Sequence, residues 1–315
     1  ASTAELAVIL IDARNGVVTQ SKRHGFIASL LQIPHILVAV NKMDLVDYGE
    51  EAYQEIVDEY TAFASKLSLG DLTFIPISAL MGDNVVHKSE KMPWYEGPTF
   101  LHHLENVNVG ASRNMVDFRF PVQMAIRPNQ NFRGFAGQIA SGSISPGEEI
   151  VVLPSGKGSR VRAIVTLEGE LPEAAADDSV VLTLEDEIDV SRGDMIVRKK
   201  NLPQVANQFE CIIAWMDEEP MDPNASYVLQ HTTRQVRAFI SELNYRIDVN
   251  TLHREDADTF HLNEIGRVKV TTTQPLFYDP YQINRSTGSF ILSDPHTNKT
   301  VAAGLIRRRA RDLVE

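Results

Sequence analysis

Two short strings carry residue types that can read a nucleobase. Asn41-Lys42-Met43-Asp44 follows directly on an apolar run at 35–40. A carboxylate such as Asp44 can accept two adjacent N–H donors at once. Guanine presents such a pair, its ring N–H and its exocyclic amino group, and adenine does not. An unpaired carboxylate in a desolvated site is costly, so one side chain discriminates strongly between the two bases. Lys42 can lay its aliphatic stem along a purine face, and the Asn41 amide can tie the loop together. Taken alone, the string also reads as a solvated turn after a strand. Ser78-Ala79-Leu80 follows the next apolar run, 72–77, one helix further on. There the Ala79 N–H can reach the guanine carbonyl oxygen while Ser78 braces Asp44. Loops at the carboxyl ends of successive parallel strands are where an open α/β sheet binds ligands. The candidate base-binding residues are therefore Asn41, Lys42, Asp44, Ser78, Ala79 and Leu80.

Other strings carry less. Ser155-Gly156-Lys157-Gly158-Ser159 has the flavour of a phosphate loop, but position 151 is Val and alternating residues follow, so a hairpin turn is expected. His102-His103 has no acid or histidine at a helical offset that would complete a metal site. Arg192-Gly193-Asp194 reads as a tight turn, and His24 as a loop residue, either hydrogen-bonded locally or near a switch. Cys211 is the single cysteine, so there is no internal disulfide or thiolate cluster. It is a reactive thiol or a small buried hydrophobe in the strand-like 209–215. No catalytic residue and no metal ligand is assigned.

The elements that must position the two loops are legible as alternating strand and helix. Residues 6–12 form an apolar run ending in an acid, as for a strand buried on both faces. Residues 23–32 suit a helix stopped before Pro34, and 35–40 and 72–77 are further strands. Between them, Tyr53, Ile56, Val57, Tyr60, Ala64 and Leu67 line one helical face over 51–67. A parallel sheet with crossover helices follows. Near Val109 the pattern changes to short alternating runs, at Phe118, Phe120 and Val122, then 135–140, 150–153 and 180–184, separated by turn residues. After Asn201-Leu202-Pro203 strands resume at 209–215, 235–240, 267–272 and 289–292. The expected fold is α/β plus all-β: a parallel sheet with helices, then two β-barrels. The boundaries expected are 1–113, 114–202 and 203–315.

Composition narrows the function classes. The 42 acidic residues outnumber the 30 basic ones, giving a net charge of −12, a poor fit to a protein that wraps polyphosphate backbones. No apolar run approaches the length of a membrane span, and the opening Ala-Ser-Thr-Ala-Glu is no signal peptide. A cytoplasmic protein with no nucleic-acid or membrane partner is expected.

The two base-reading motifs followed by two barrels resemble the translational GTPase superfamily, in its P-loop-type GTPase domain and barrel layout. Asp12-Ala13-Arg14-Asn15-Gly16 and Gln20-Ser21-Lys22-Arg23-His24 look like the strand and loop after that superfamily's second switch. Gly82-Asp83-Asn84-Val85-Val86 and Met92-Pro93-Trp94-Tyr95 are similar to elongation factor 1-alpha and to the GTPase (large) subunit of sulfate adenylyltransferase. The barrels favour the latter. Arg127-Pro128-Asn129, Phe132-Arg133-Gly134-Phe135-Ala136-Gly137 and Tyr245-Arg246-Ile247-Asp248-Val249-Asn250-Thr251-Leu252 resemble that family. So do Leu262-Asn263-Glu264-Ile265-Gly266, Phe277-Tyr278-Asp279-Pro280-Tyr281 and Asn284-Arg285-Ser286-Thr287-Gly288-Ser289-Phe290. Asn131 departs from the aspartate expected there.

The resemblance implies a guanine-nucleotide-binding, GTP-hydrolysing subunit that drives adenosine phosphosulfate formation from ATP and sulfate in a separate small catalytic (adenylyltransferase) subunit. Tyr281 and Arg285 are candidates for contact with that partner. The alternative is an elongation-factor-like GTPase carrying aminoacyl-tRNA, which the acidic charge and the barrel motifs disfavour. GTP is the implied ligand, with Mg²⁺ expected only in the full-length protein. The Gly-rich phosphate loop and the Asp-x-x-Gly segment do not occur in these 315 residues. The start of the chain looks like a point inside the GTPase domain, so this chain alone is expected to be inactive. Some relatives continue into an adenosine-phosphosulfate kinase domain, which the sequence leaves open.

Overall fold

A computed structural model of the chain describes residues 4–67, 69–108, 114–129 and 132–310. Asn131 lies outside these. The chain divides into two compact units, Ala1–Ser112 with Asp248–His253, and Arg113–Ile247 with Arg254–Glu315. No helix among the described residues is long and apolar enough to cross a membrane.

The first unit is built as strand and helix in alternation. Its elements are β1 (Leu6–Asp12), α1 (Thr19–Leu30), β2 (His35–Asn41), α2 (Glu50–Ala64), β3 (Asp71–Pro76) and α3 (Phe100–Asn106). The three strands pair in parallel in the order β1-β2-β3. In register, Asp12 faces Asn41 and Val40 faces Pro76, so all three carboxyl ends share one edge. The central strand is buried from Ile36 to Val40, with Leu37, Val38, Ala39 and Val40 at 0% exposure. On α2, Ile56, Tyr60, Phe63 and Ala64 are buried at helical spacing. Gly25 of α1 lets the two helices approach, because a Cβ there would lie 2.4 Å from the Tyr60 hydroxyl. One expectation is corrected. Strand β1 is not buried on both faces: Ile9 and Ile11 are, but Val8 is 39% and Leu10 62% exposed. Among the described strands β1 pairs with β2 alone, and its second face meets solvent.

The second unit holds two closed barrels. The first comprises β4 (Arg119–Asn129), β5 (Phe132–Gln138), β6 (Ser143–Ile144), β7 (Glu149–Leu153), β8 (Lys157–Thr166), β9 (Gly169–Leu171), β10 (Ala174–Ala175), β11 (Ser179–Leu184) and β12 (Met195–Arg198). Six of them close the ring β11-β5-β4-β12-β7-β8, with β8 returning to β11. The second comprises β13 (Gln204–Trp215), β14 (Ser226–His231), β15 (Arg234–Ile247), β16 (Arg254–Glu255), β17 (Ile265–Tyr278), β18 (Ser289–Ser293) and β19 (Thr300–Arg309). Its ring runs β14-β18-β19-β13-β17-β15, closed by β14–β15 pairing. Closure leaves no long unpaired edge. Inward residues alternate along each strand, with Phe118, Phe120 and Val122 at 0% in the first core and Phe209, Cys211 and Ile213 at 0% in the second. The 155–158 string is the β7–β8 hairpin, with Val152 opposite Lys157 and Gly156 at φ +69°.

Candidate functional site

The carboxyl ends of β1, β2 and β3 are sewn together by backbone bonds. Ala13 N–H donates to the Asn41 carbonyl (2.8 Å), Ile77 N–H to Val40 (2.8 Å) and Met43 N–H to Ile77 (3.2 Å). These bonds bring the two loops side by side. Asn41 Oδ1 then accepts from Lys42 N–H at 2.7 Å and from Ala79 N–H at 3.0 Å, so one side-chain oxygen fastens both. The Lys42 backbone adopts φ +67°, ψ +34°, the left-handed region, and a single-turn 3₁₀ segment Met43–Val46 follows.

Ser78 is fully buried, and its hydroxyl donates to Asp44 Oδ1 at 2.5 Å. The same Oγ accepts from Met81 N–H at 3.3 Å, which orients the hydroxyl proton toward the carboxylate. The Lys42 ammonium lies 2.8 Å from Asp12 Oδ2 at the end of β1. Asp12 also receives the Arg14 guanidinium at 2.7 and 3.1 Å. Those bonds, from Arg14 first and Lys42 second, hold the Asp12 carboxyl far below the usual carboxylate range.

Five of the six expected residues are thus joined, as Asn41–Lys42–Ala79 and Asp44–Ser78. Leu80 is not part of either group: its side chain is 86% exposed. The Ala79 N–H, assigned from sequence to a guanine carbonyl, is held here by Asn41, the acceptor nearest to it in the tight turn. Sequence reasoning did not identify Asp12 as the anchor of Lys42, although the acid ending an apolar strand was the available signal.

It also missed a supporting layer. The Tyr48 hydroxyl donates to Asp83 Oδ2 (2.9 Å), the Ser89 hydroxyl to Asp83 Oδ1 (2.7 Å), and Trp94 Nε1–H to the Tyr48 carbonyl (3.0 Å). Burial alone would raise the Asp83 carboxyl, but Ser89, Tyr48 and the Lys91 charge outweigh it and hold it low. Asp83 in turn accepts at its backbone carbonyl from Ser78 N–H, at 3.1 Å. The strings at 82–86 and 92–95 therefore brace the Ser78 loop from behind.

Residues 1–129 match the family model described as elongation factor Tu GTP binding domain, and 208–307 the one described as GTP-eEF1A C-terminal domain-like. A crystal structure of Sup35 complexed with GMPPNP shares the fold. It gives a TM-score of 0.58 at 24% identity, covering 98% of this chain and 79% of that one. A bifunctional enzyme CysN/CysC of Rhodopirellula baltica is 57% identical over 98% of this chain and 48% of its own length. Sulfate adenylyltransferase subunit 1 of Aliarcobacter butzleri is 50% identical over 99% of this chain and 67% of its own.

The chain belongs to the sulfate adenylyltransferase subunit 1 family.

It spans about half to two thirds of the length of the curated relatives it matches. The barrel strings that resemble sulfate adenylyltransferase subunit 1 have structural work in this chain. Asp279 accepts from Arg119 and from the Thr287 hydroxyl, and Asn284 donates to Ser141. Tyr281, a candidate either for partner contact or for the core, is 1% exposed, while Arg285 is half-buried. Gly288 is required beside it, since a Cβ would sit 2.3 Å from Tyr281 Cα. Cys211 is buried in the second core. No group of three or more His, Cys, Asp or Glu side chains among the described residues is placed to hold a metal ion.

Proposed function

We propose that residues Asn41, Lys42, Asp44, Ser78 and Ala79 form the base-reading half of a guanine-nucleotide site. The observation that carries this is the 2.5 Å bond from the buried Ser78 hydroxyl to Asp44 Oδ1. It fixes the carboxylate's orientation and leaves lone pairs on both oxygens for the two guanine donors. Asn41 holds the two loops at a fixed spacing. Asp12 draws the Lys42 ammonium aside so that the stem is presented as an apolar surface. The Ala79 N–H, held by Asn41 at 3.0 Å, is shared with the base carbonyl oxygen as a three-centre bond. Leu80 contributes through its backbone position in the loop alone.

The larger reading is a GTPase subunit of sulfate adenylyltransferase that couples GTP hydrolysis to adenosine phosphosulfate synthesis from ATP and sulfate on a small catalytic subunit in the cytoplasm. Close relatives named sulfate adenylyltransferase subunit 1 and the match to a GTP-binding domain support it. Hydrolysis is a property of the longer protein, where Mg²⁺ and a phosphate loop supply charge stabilisation. In that protein we divide this stretch at 1–113, 114–202 and 203–315.

Asp44→Asn in the full-length protein tests the base assignment. It puts a donor amide opposite a guanine donor, so preference shifts from guanine toward xanthine nucleotides in a competition titration. An unchanged preference for GTP over XTP overturns the assignment.

A further inference from the structure

The outer face of the first barrel carries an apolar groove. Its inward residues, Phe135, Leu182 and Ile164, are committed to the core. The residues beside them turn outward and fall into one row in register, Ala136 of β5, Val181 of β11, Val165 of β8 and Glu170 of β9. Directly opposed residues on neighbouring strands share a face. Ala136, Val165 and Val181, with Ile126, Phe132 and Leu167, line a cavity of about 380 Å³. The floor is low because β5 places Gly134 and Ala136 there. A Cβ on Gly134 would lie 2.4 Å from Val181 Cγ1, so only glycine fits beneath that side chain. Leu167, in the turn from β8 to β9, is fully exposed at the rim, and Met124, opposite Ala136, is 56% exposed.

The charge around this groove is one-sided. Glu170 ends the row beside Val165, and Glu168 follows Leu167 in the turn. Both are exposed, and neither has an ion-pair partner among the described residues. The cations of the neighbouring strands do not offset them. Arg133 packs over the Phe135 ring at 5.8 Å, on the core side of β5, and donates to Asp189 at 2.9 Å. Arg127 lies on β4, with β5, β11 and β8 between it and Glu170. Uncompensated carboxylates at the rim repel a phosphate backbone, and a second copy of a chain of net charge −12 as well. They attract a cationic side chain.

We propose that this groove docks a segment of a partner protein that combines apolar side chains with lysine or arginine. The apolar side chains seat on Ala136, Val165 and Val181 between Phe132 and Leu167, and the cation meets Glu168 and Glu170. Covering Leu167 takes out of water a side chain that folding leaves fully exposed. The two carboxylates select the partner by charge and set its direction across the strands. The groove shares no residue with the base-reading loops.

A library of displayed random peptides is panned against this chain, with the Leu167→Asp chain as the counter-target. Peptides retained by the first and not by the second are expected to carry apolar residues within a few positions of lysine or arginine. A synthetic copy of the most enriched peptide is then titrated by fluorescence anisotropy. Glu168→Lys combined with Glu170→Lys weakens its binding by about tenfold, because attraction becomes repulsion. Exchanging the peptide's basic residues for glutamate restores affinity for that variant. Leu262→Asp, at an exposed apolar position of the second barrel, changes binding little. If Leu167→Asp fails to fold, the chain with both lysines serves as the counter-target. No peptide selected by the chain over its counter-target overturns the proposal, as does selection of acidic or purely apolar peptides.

Discussion

The guanidinium of Arg119 and the carboxylate of Asp279, one from each barrel, meet in a two-pronged ion pair with both N···O distances at 2.9 Å. Their side chains are 2% and 8% exposed. Asn201 supplies two further acceptors to Arg119, at 2.7 and 2.8 Å, and Thr287 donates to Asp279 at 2.8 Å. All three guanidinium nitrogens of Arg119 and both carboxylate oxygens of Asp279 have partners. A buried pair of this kind adds little net stability, but halving it is costly because the survivor is left charged and unpaired.

Asp279→Asn is accordingly expected to destabilise the chain by about 3–5 kcal/mol, read from the urea midpoint at constant m. Arg119→Met with Asp279→Leu should recover a good part of that loss. A single substitution within experimental error of wild type would show that water already solvates the pair.

Ser78→Ala removes the hydroxyl that orients Asp44. Guanine-nucleotide affinity of the full-length protein is expected to fall about tenfold, as for loss of a hydrogen bond to a charged group. Ser78→Thr, which keeps the hydroxyl, restores it. If alanine and threonine behave alike in a fluorescent-nucleotide titration, the bond to Asp44 has no part in binding.

His231 is buried, and its Nε2 lies 2.7 Å from the Thr287 carbonyl, which can only accept, so Nε2 carries the proton of a neutral ring. Burial pushes its pKa below the ordinary value. The unfolded chain then takes up a proton near pH 6.5 that the folded chain refuses. Stability from this group is complete above about pH 6.5 and is lost as the pH falls toward the folded pKa. His231→Gln can keep a donor to Thr287 and lacks that slope. Parallel pH-stability curves for the two proteins between pH 5 and 7 would exclude the effect.

Cys211 lies at 0% exposure, its thiol pushed upward by burial. A thiol reagent at neutral pH should leave the native chain unmodified and label one equivalent after denaturation. Rapid native labelling would mean that the second barrel opens locally.

Sequence was most informative where chemistry and periodicity coincided. The uninterrupted apolar run before Asn41 can only be an interior strand of a covered sheet, and the acid-bearing loop after it can only lie at that strand's carboxyl end. Arg119 shows the opposite case. In sequence it is one more charge in an alternating strand, because its partner is 160 positions away and nothing local announces it. The bond from Lys42 to Asp12 crosses 30 positions and was hidden for the same reason. Strands β8 and β19 are obscured in the sequence because Arg160 and Arg162, or the run Arg307 to Arg309, interrupt the apolar pattern with charge, and Gly304 sits where the Phe290 ring needs room. Leu80 was placed in the site by its neighbours in the string, whereas its own side chain turns to solvent.

Asn41 spends its one side-chain oxygen on the backbones of two loops separated by 38 positions. The spacing between those loops is therefore settled when the sheet forms, before any ligand arrives. On the proposed reading, a base that does not match meets a rigid outline, with no closing motion in which a near-fit can be trapped. Discrimination would then show itself in how long a nucleotide stays and hardly at all in how fast it enters.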